Sequence, residues 1–140
     1  MTLSTLDTKY NRRIYLQAVL RWLLLSLGVV LFSAVYEFFS HGVYSPYMLY
    51  AFVFPLAGGA LPALLIALRS KGFFPGEAAR SLYQSALATL TVGSLFAGAL
   101  EIYGTASPLA CIYWIASGLL LTAALIAVIT QRRRFVEEIS

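Results

Sequence analysis

The stretch Trp22–Phe39, WLLLSLGVVLFSAVYEFF, runs for 18 residues with a single charged side chain, Glu37. A run this long and this apolar is typical of a helix that crosses the hydrocarbon core of a bilayer. It is also longer than the ~7–15-residue apolar core of a signal peptide, which favours a retained helix. Of the 140 residues, 60% are hydrophobic and 11% are charged, whereas soluble domains carry about 25% charged residues. The composition therefore predicts a protein whose solvent is lipid.

Three further apolar runs follow, and short segments separate them. The four predicted spans lie at about 14–39, 45–68, 78–103 and 108–129, between tails at 1–13 and 132–140. Because the connections are short, neighbouring spans should be antiparallel. We therefore expect an all-α fold with a four-helix transmembrane domain over residues 14–131. It would consist of two tandem helical hairpins, residues 14–68 and 78–131.

The basic residues all fall on one side of this four-span arrangement. They are Lys9, Arg12, Arg13, Arg21, Arg69, Lys71, Arg80, Arg132, Arg133 and Arg134. Lysine and arginine are enriched in the cytoplasmic segments of membrane proteins. The pattern predicts that both termini are cytoplasmic, in a protein of a prokaryotic cytoplasmic membrane. Topology thus accounts for the net charge of +4, and nucleic acid is not an expected partner.

Two segments of the chain resemble each other. Residues 31–40, LFSAVYEFFS, align without a gap on residues 95–104, LFAGALEIYG, and a Ser–Pro step follows each segment. In both steps, Ser45–Pro46 and Ser107–Pro108, serine suits the N-cap of a helix and proline its first helical position. The match predicts a duplicated hairpin, with parallel repeats about an axis along the membrane normal. Convergence of two helix ends is the alternative.

The alignment places Glu37 and Glu101 at equivalent positions near the outer ends of the first and third spans. A carboxylate so close to the hydrocarbon is by default a candidate functional group. Together with His41, the only histidine, the glutamates could bind a cation or relay protons. We expect His41 only to tune such a site, because the second segment lacks an equivalent. The competing interpretation is that both glutamates reach water or cap backbone N–H groups.

The second span contains the sequence PLAGGALP. Pro55 and Pro62 remove backbone donors, which frees the carbonyls near Ala51 and Gly58 and should kink the helix. Broken helices line substrate sites in many transporters, but close packing of small residues is the favoured interpretation here. The residues expected to form the kink and the packing surfaces are Pro55, Gly58, Gly59 and Pro62 in the second span, and Gly93, Ser94, Ala97 and Gly98 in the third.

Several kinds of chemistry lack the residues that they need. The single cysteine, Cys111, cannot form an internal disulfide, a CxxC pair or a thiolate metal cage. One histidine offers a monomer only one axial haem ligand. A catalytic triad and a nucleotide-binding loop are also missing from the sequence. We therefore expect no cofactor, with a divalent metal or a haem as the alternative.

Three functional interpretations follow. The first is a non-enzymatic membrane subunit that packs in the lipid bilayer against itself, as a homo-oligomer, or against a larger membrane protein. The second is a small transporter or channel with an extracytoplasmic cation or proton site at Glu37 and Glu101. The third is a membrane redox or haem-binding protein.

Overall fold

Helices form all the regular structure in the computed structural model, which describes residues 3–68 and 75–139. The elements are α1 (Leu3–Phe39), α2 (Pro46–Leu49), a π-helix (Phe54–Ala60), α3 (Leu61–Leu68), α4 (Glu77–Ile102) and α5 (Ala110–Ile139). Four segments are long and apolar enough to cross a membrane, and we call them spans 1 to 4: Arg12–Phe39, Pro46–Leu68, Glu77–Ile102 and Ala110–Arg134. The prediction of an all-α protein with four such helices is confirmed. The predicted topology anchors Arg69 and Lys71 lie outside the described residues.

The first and last helices extend beyond the predicted spans. The polar composition of residues 1–13 predicts a tail, but α1 already begins at Leu3. At the other end, α5 continues past Ile129 and through the three consecutive arginines to Ile139. Neither extension contains glycine or proline, so nothing in the local sequence stops the helix.

Each span packs against the span that follows it in the chain. Span 1 lies along the π-helix and α3, span 2 also contacts α4, and α4 packs along α5. The start of span 1 reaches the start of span 3, where the Tyr15 hydroxyl donates to the Pro75 carbonyl at 3.2 Å. The Gly76 N–H donates to Gln131 Oε1 at 2.9 Å and joins the end of span 4 to the same place. We call the end of the bundle that contains Tyr15, Pro75 and Gln131 the basic end. The opposite end, which contains Glu37 and Glu101, is called the glutamate end.

A cluster of buried hydrophobic residues joins spans 1, 2 and 3 toward the basic end. They are Tyr15, Ala18 and Trp22 from span 1, Ala60, Ala63 and Ala67 from span 2, and Leu87 from span 3. Alanines make up more than half of this cluster, and small residues allow helix backbones to approach closely in a membrane.

Span 2 is the irregular helix of the bundle. Its π-helical segment, Phe54–Ala60, contains Pro55 and both glycines of the PLAGGALP sequence. Pro62 has no N–H to donate to the Gly58 carbonyl, and the Tyr83 hydroxyl of span 3 donates to that oxygen instead, at 2.7 Å. A side chain from the next span thus replaces the missing backbone donor.

The first turns of span 2 receive similar help from both neighbours. Ser33 of span 1 donates to the Met48 carbonyl at 3.0 Å, and Ser94 of span 3 donates to the Tyr47 carbonyl at 2.6 Å. In hydrocarbon, backbone polar groups must find partners within the protein. Together with Tyr83, the hydroxyl groups of Ser33 and Ser94 therefore donate hydrogen bonds to three backbone carbonyls of the irregular span 2.

The glycines of spans 2 and 3 mark close approaches between helices. A Cβ added to Gly58 would lie 2.6 Å from the Leu87 side chain, and one added to Gly59 would collide with the Trp22 ring. In span 3, the same construction at Gly93 and Gly98 meets Tyr113 Cβ at 2.5 Å and Met48 Cβ at 2.7 Å. Ala97 is half-buried and Ser94 is buried. Span 3 therefore uses its small residues against both span 4 and the start of span 2.

We expect Gly59→Ala to destabilise the protein by about 1–3 kcal/mol, because the new methyl group overpacks against Trp22. Gly28→Ala is the matched control, since Gly28 lies in span 1 with nothing within 4 Å of an added Cβ. That control should be neutral or stabilising by about 0.5–1 kcal/mol through helix propensity. Thermal unfolding in detergent, followed by circular dichroism, measures both. Equal melting temperatures for the two variants would contradict the Gly59–Trp22 packing.

Candidate functional site

Glu101, in the last turn of span 3, accepts a hydrogen bond from a buried serine of span 2. The Ser45 hydroxyl donates to Glu101 Oε2 at 2.5 Å, and the Ser45 side chain is completely buried. The sequence predicts Ser45 as an N-cap. It does occupy that position ahead of Pro46, but its side chain makes no capping hydrogen bond. The hydroxyl instead joins span 2 to the carboxylate of span 3.

Glu37, at the end of α1, has a different environment. Its side chain is partly buried, and its Oε1 atom is buried without a hydrogen-bond partner among the described residues. Its backbone carbonyl accepts from Ser40, through the N–H at 3.2 Å and the hydroxyl at 2.7 Å. A buried carboxylate oxygen without a partner is costly unless a proton, a cation or water satisfies it. Glu37 is thus the less satisfied of the two carboxylates.

The structure brings the final turns of spans 1 and 3 together. Ser33 of span 1 donates to the Met48 carbonyl at the start of span 2, and Ser45, just before that start, donates to Glu101 of span 3. Glu37 and Glu101 are therefore at the same end of the bundle, on neighbouring chain segments.

The two Ser–Pro steps are not used in the same way. If the proposed repeats were equivalent in detail, Ser107 would donate to Glu37 as Ser45 donates to Glu101. Instead the Ser107 hydroxyl oxygen accepts from the Leu109 N–H at 3.3 Å, as a local cap does. Pro46 begins α2 as predicted, but Pro108 lies in a turn and α5 begins only at Ala110, after which span 4 is a regular helix whereas span 2 is interrupted. The duplication stays a prediction, with different hydrogen bonds in the two segments.

His41 lies in the turn between spans 1 and 2 and is exposed. Its φ of 57° and the φ of 89° at Gly42 place both residues in the left-handed region, where the chain reverses. Within residues 3–68 and 75–139, no three His, Cys, Asp or Glu side chains are arranged to hold a metal ion. The structure therefore does not assemble Glu37, Glu101 and His41 into a three-ligand metal centre.

Sequence reasoning missed a second feature, a cavity at the basic end between the four spans. Its lining includes Tyr15, Trp22, Arg80 and Tyr83. Of these residues, only Arg80 was selected from the sequence, and then only as a topology anchor. Exposure separates it from the other described arginines, because Arg80 is partly buried while Arg12, Arg13, Arg21, Arg132, Arg133 and Arg134 are exposed.

In comparisons with known proteins, no family, curated relative or solved structure matches the chain.

A double-mutant cycle tests the geometry at the glutamate end. Ser45→Ala and Glu101→Gln should show a coupling free energy of about 1–3 kcal/mol, because the pair shares a charge-assisted hydrogen bond. The matched cycle of Ser107→Ala with Glu37→Gln should give coupling near zero, since no such bond joins them. Unfolding by SDS in mixed micelles supplies the free energies. Equal coupling in both cycles would contradict the asymmetry and favour two equivalent repeats.

Proposed function

We propose that the chain is a small integral membrane subunit without catalytic chemistry, which works by lateral association with a second copy of itself or with a larger membrane protein. The observation that carries this proposal is the exposure of span 4. Only 11% of its most apolar window is buried, against 33% for each of spans 2 and 3. Span 4 packs mainly along span 3, with Trp114 also against Phe54 of span 2, and most of its remaining surface is uncovered.

The uncovered surface of span 4 contains small residues at helical spacing. Gly118 is exposed and has no atom within 4 Å of an added Cβ, and Thr122 follows one turn later. The Thr122 hydroxyl donates to the Leu119 carbonyl at 2.8 Å, so its polar group is satisfied within the helix. Small residues four positions apart let a second helix approach closely in lipid. Cys111, also exposed, lies two turns before Gly118 on the same face.

The proposed setting is a prokaryotic cytoplasmic membrane, with the basic end and both termini in the cytoplasm and the spans arranged as two antiparallel hairpins. The sequence supports this orientation, because its ten lysines and arginines all fall on one side of the four spans. The packing of span 1 on span 2 and of span 3 on span 4 is compatible with the hairpins.

Copies inserted in the same orientation would bring parallel span 4 helices together, with the two Cys111 side chains adjacent. Oxidative cross-linking in membranes should therefore give a disulfide-linked dimer through the only cysteine of the chain. Gly118→Leu should reduce the dimer roughly fivefold or more, because it blocks an approach worth about 1–2 kcal/mol. The measurement is the dimer fraction on a non-reducing gel at fixed protein-to-lipid ratio.

Gly28→Leu is the matched control for this experiment. Gly28 is also an exposed mid-span glycine with open space around it, but its neighbours one turn away are Leu24 and Phe32. It should leave the cross-link unchanged, and Cys111→Ser should abolish it. A Cys111 that reacts with maleimide but never cross-links would reject self-association. If native electrophoresis then showed a larger complex that Gly118→Leu dissociates, the larger-partner form of the proposal would stand.

A transporter or channel with an extracytoplasmic cation or proton site is the second candidate. The observation that favours it is the buried Oε1 atom of Glu37, which has no partner among the described residues. A proton or a cation would satisfy that oxygen, with Glu101 at the same end of the bundle. For a redox or haem-binding protein we find no comparable observation, since His41 is exposed in a turn.

If Glu37 and Glu101 share a cation, added cations should raise the melting temperature of the protein. Glu37→Gln and Glu101→Gln should each remove most of that dependence, because both carboxylates contribute charge. His41→Gln should have the smaller effect. The measurement is the melting temperature in detergent across concentrations of Na⁺, K⁺, Mg²⁺ and Ca²⁺. An unchanged dependence in both glutamine variants, with loss in His41→Gln, would assign the site to the histidine.

A further inference from the structure

A cavity of about 490 Å³ lies between the four spans on the basic side of the bundle. This volume is within the range of about 300–1,000 Å³ that small-molecule sites occupy. The lining of the cavity indicates the chemistry of a molecule that would fit it.

The walls of the cavity are apolar and follow the helix axes. Span 1 lines it from Tyr15 to Trp22, and span 4 lines it from Leu121 to Val128. At 1.5 Å per residue, each of these segments is about 10 Å long. Span 2 adds the π-helical Gly59 together with Pro62, Ala63 and Ile66. An occupant must therefore present an apolar body to this part of the cavity.

The polar groups are concentrated at the basic end of the cavity. Among the described residues, Arg80 in the first turns of span 3 is the only cationic side chain of the lining, and Gln84 follows it one turn later. Arg80 lies within electrostatic range of the Tyr15 phenol. Among the described residues, the cavity lining contains no carboxylate side chain. A partly buried guanidinium in such a lining is suited to bind an anion.

The cavity borders on lipid between spans 1 and 4. Span 1 packs along span 2 and span 4 along span 3, and no extended backbone packing joins spans 1 and 4 within the described residues. Leu125 of span 4 lines the cavity and is nevertheless 60% exposed. An occupant can therefore enter sideways from the hydrocarbon of the leaflet at the basic end.

We propose that the cavity binds one acyl chain of an anionic phospholipid, whose phosphate is held by Arg80. The chain lies against the apolar walls near Trp22 and Leu121, where its methylene groups are removed from the disordered bilayer. The guanidinium forms charge-assisted hydrogen bonds with the phosphate oxygens. This site does not depend on the lateral association proposed above, and either proposal can fail alone.

The two tryptophans allow a direct test of this proposal. Trp22 lines the cavity, whereas Trp114 packs against Phe54 with ring centroids 6.2 Å apart and is not part of the lining. In a Trp114→Phe variant, all tryptophan fluorescence reports on the cavity. That variant is reconstituted into vesicles of phosphatidylglycerol and phosphatidylcholine at one fixed ratio. Bromine, which quenches tryptophan fluorescence, is placed on the acyl chains of one lipid in one sample and of the other lipid in a second sample. The lipid ratio, and therefore the surface charge of the vesicles, is the same in both samples.

We expect brominated phosphatidylglycerol to quench Trp22 with a roughly tenfold preference over brominated phosphatidylcholine, as a charged hydrogen bond would give. Arg80→Gln should remove the preference. Arg21→Gln is the matched control, because Arg21 is exposed on span 1 next to Trp22 and does not line the cavity. It should keep the preference. In a Trp22→Phe variant, which retains Trp114, both brominated lipids should quench equally.

A wall substitution tests the position of the chain independently of the phosphate. Ala124 lines the cavity and is 4% exposed, so Ala124→Leu should reduce quenching of Trp22 by both lipids. Ile126→Phe, on the lipid-facing side of the same helix, should not. Equal quenching by the two lipids in the parent Trp114→Phe protein would overturn the proposal. Preferential quenching by a brominated free fatty acid added to the same vesicles would overturn the assignment to a phospholipid.

Discussion

The backbone of span 2 is the constraint on which the rest of the bundle depends. Its prolines remove donors and its π-helical segment interrupts the regular hydrogen-bond ladder, in a region where no water can substitute. Tyr83 repairs the break at Gly58, and serines of spans 1 and 3 bond its first turns. Each such bond contributes only about 0.6–2 kcal/mol, but a carbonyl left unpaired in hydrocarbon costs more. These hydrogen bonds thus hold spans 1 and 3 against span 2, whereas span 4 packs mainly along span 3.

Part of this arrangement could be predicted from the sequence, because it follows from local chemistry. The lengths of the apolar runs predict four spans, and Pro62 identifies the Gly58 carbonyl as one without its helical donor. That Tyr83 donates to this carbonyl could not be predicted, since the two residues are 25 positions apart and only the packing of spans 2 and 3 joins them. The cavity is harder still to predict, because a space between helices depends on how the helices pack and leaves no pattern in the sequence of any single helix.

Ser45 shows why a correct local pattern can still give the wrong partner. Both Ser–Pro steps fit a helix start, and Ser107 does accept a backbone N–H bond. Ser45 donates its hydroxyl proton to the Glu101 carboxylate and makes no capping hydrogen bond, although a hydroxyl can donate and accept at the same time. The two steps therefore share a local pattern and differ in their tertiary contacts. Similarity between residues 31–40 and 95–104 cannot reveal that difference.

The two ends of the bundle are consequently suited to different tasks. At the glutamate end, hydrogen bonds from Ser33, Ser45 and Ser94 join spans 1, 2 and 3. Toward the basic end, spans 1 and 4 both line the cavity, and Leu125 at its border lies on the same helix as Gly118. A second copy packed along Gly118 and Thr122 would flank that border, so a lipid held by Arg80 would lie beside the interface. Since a ligand that prefers one state stabilises it by mass action, such a lipid could link the composition of the leaflet to assembly of the subunit.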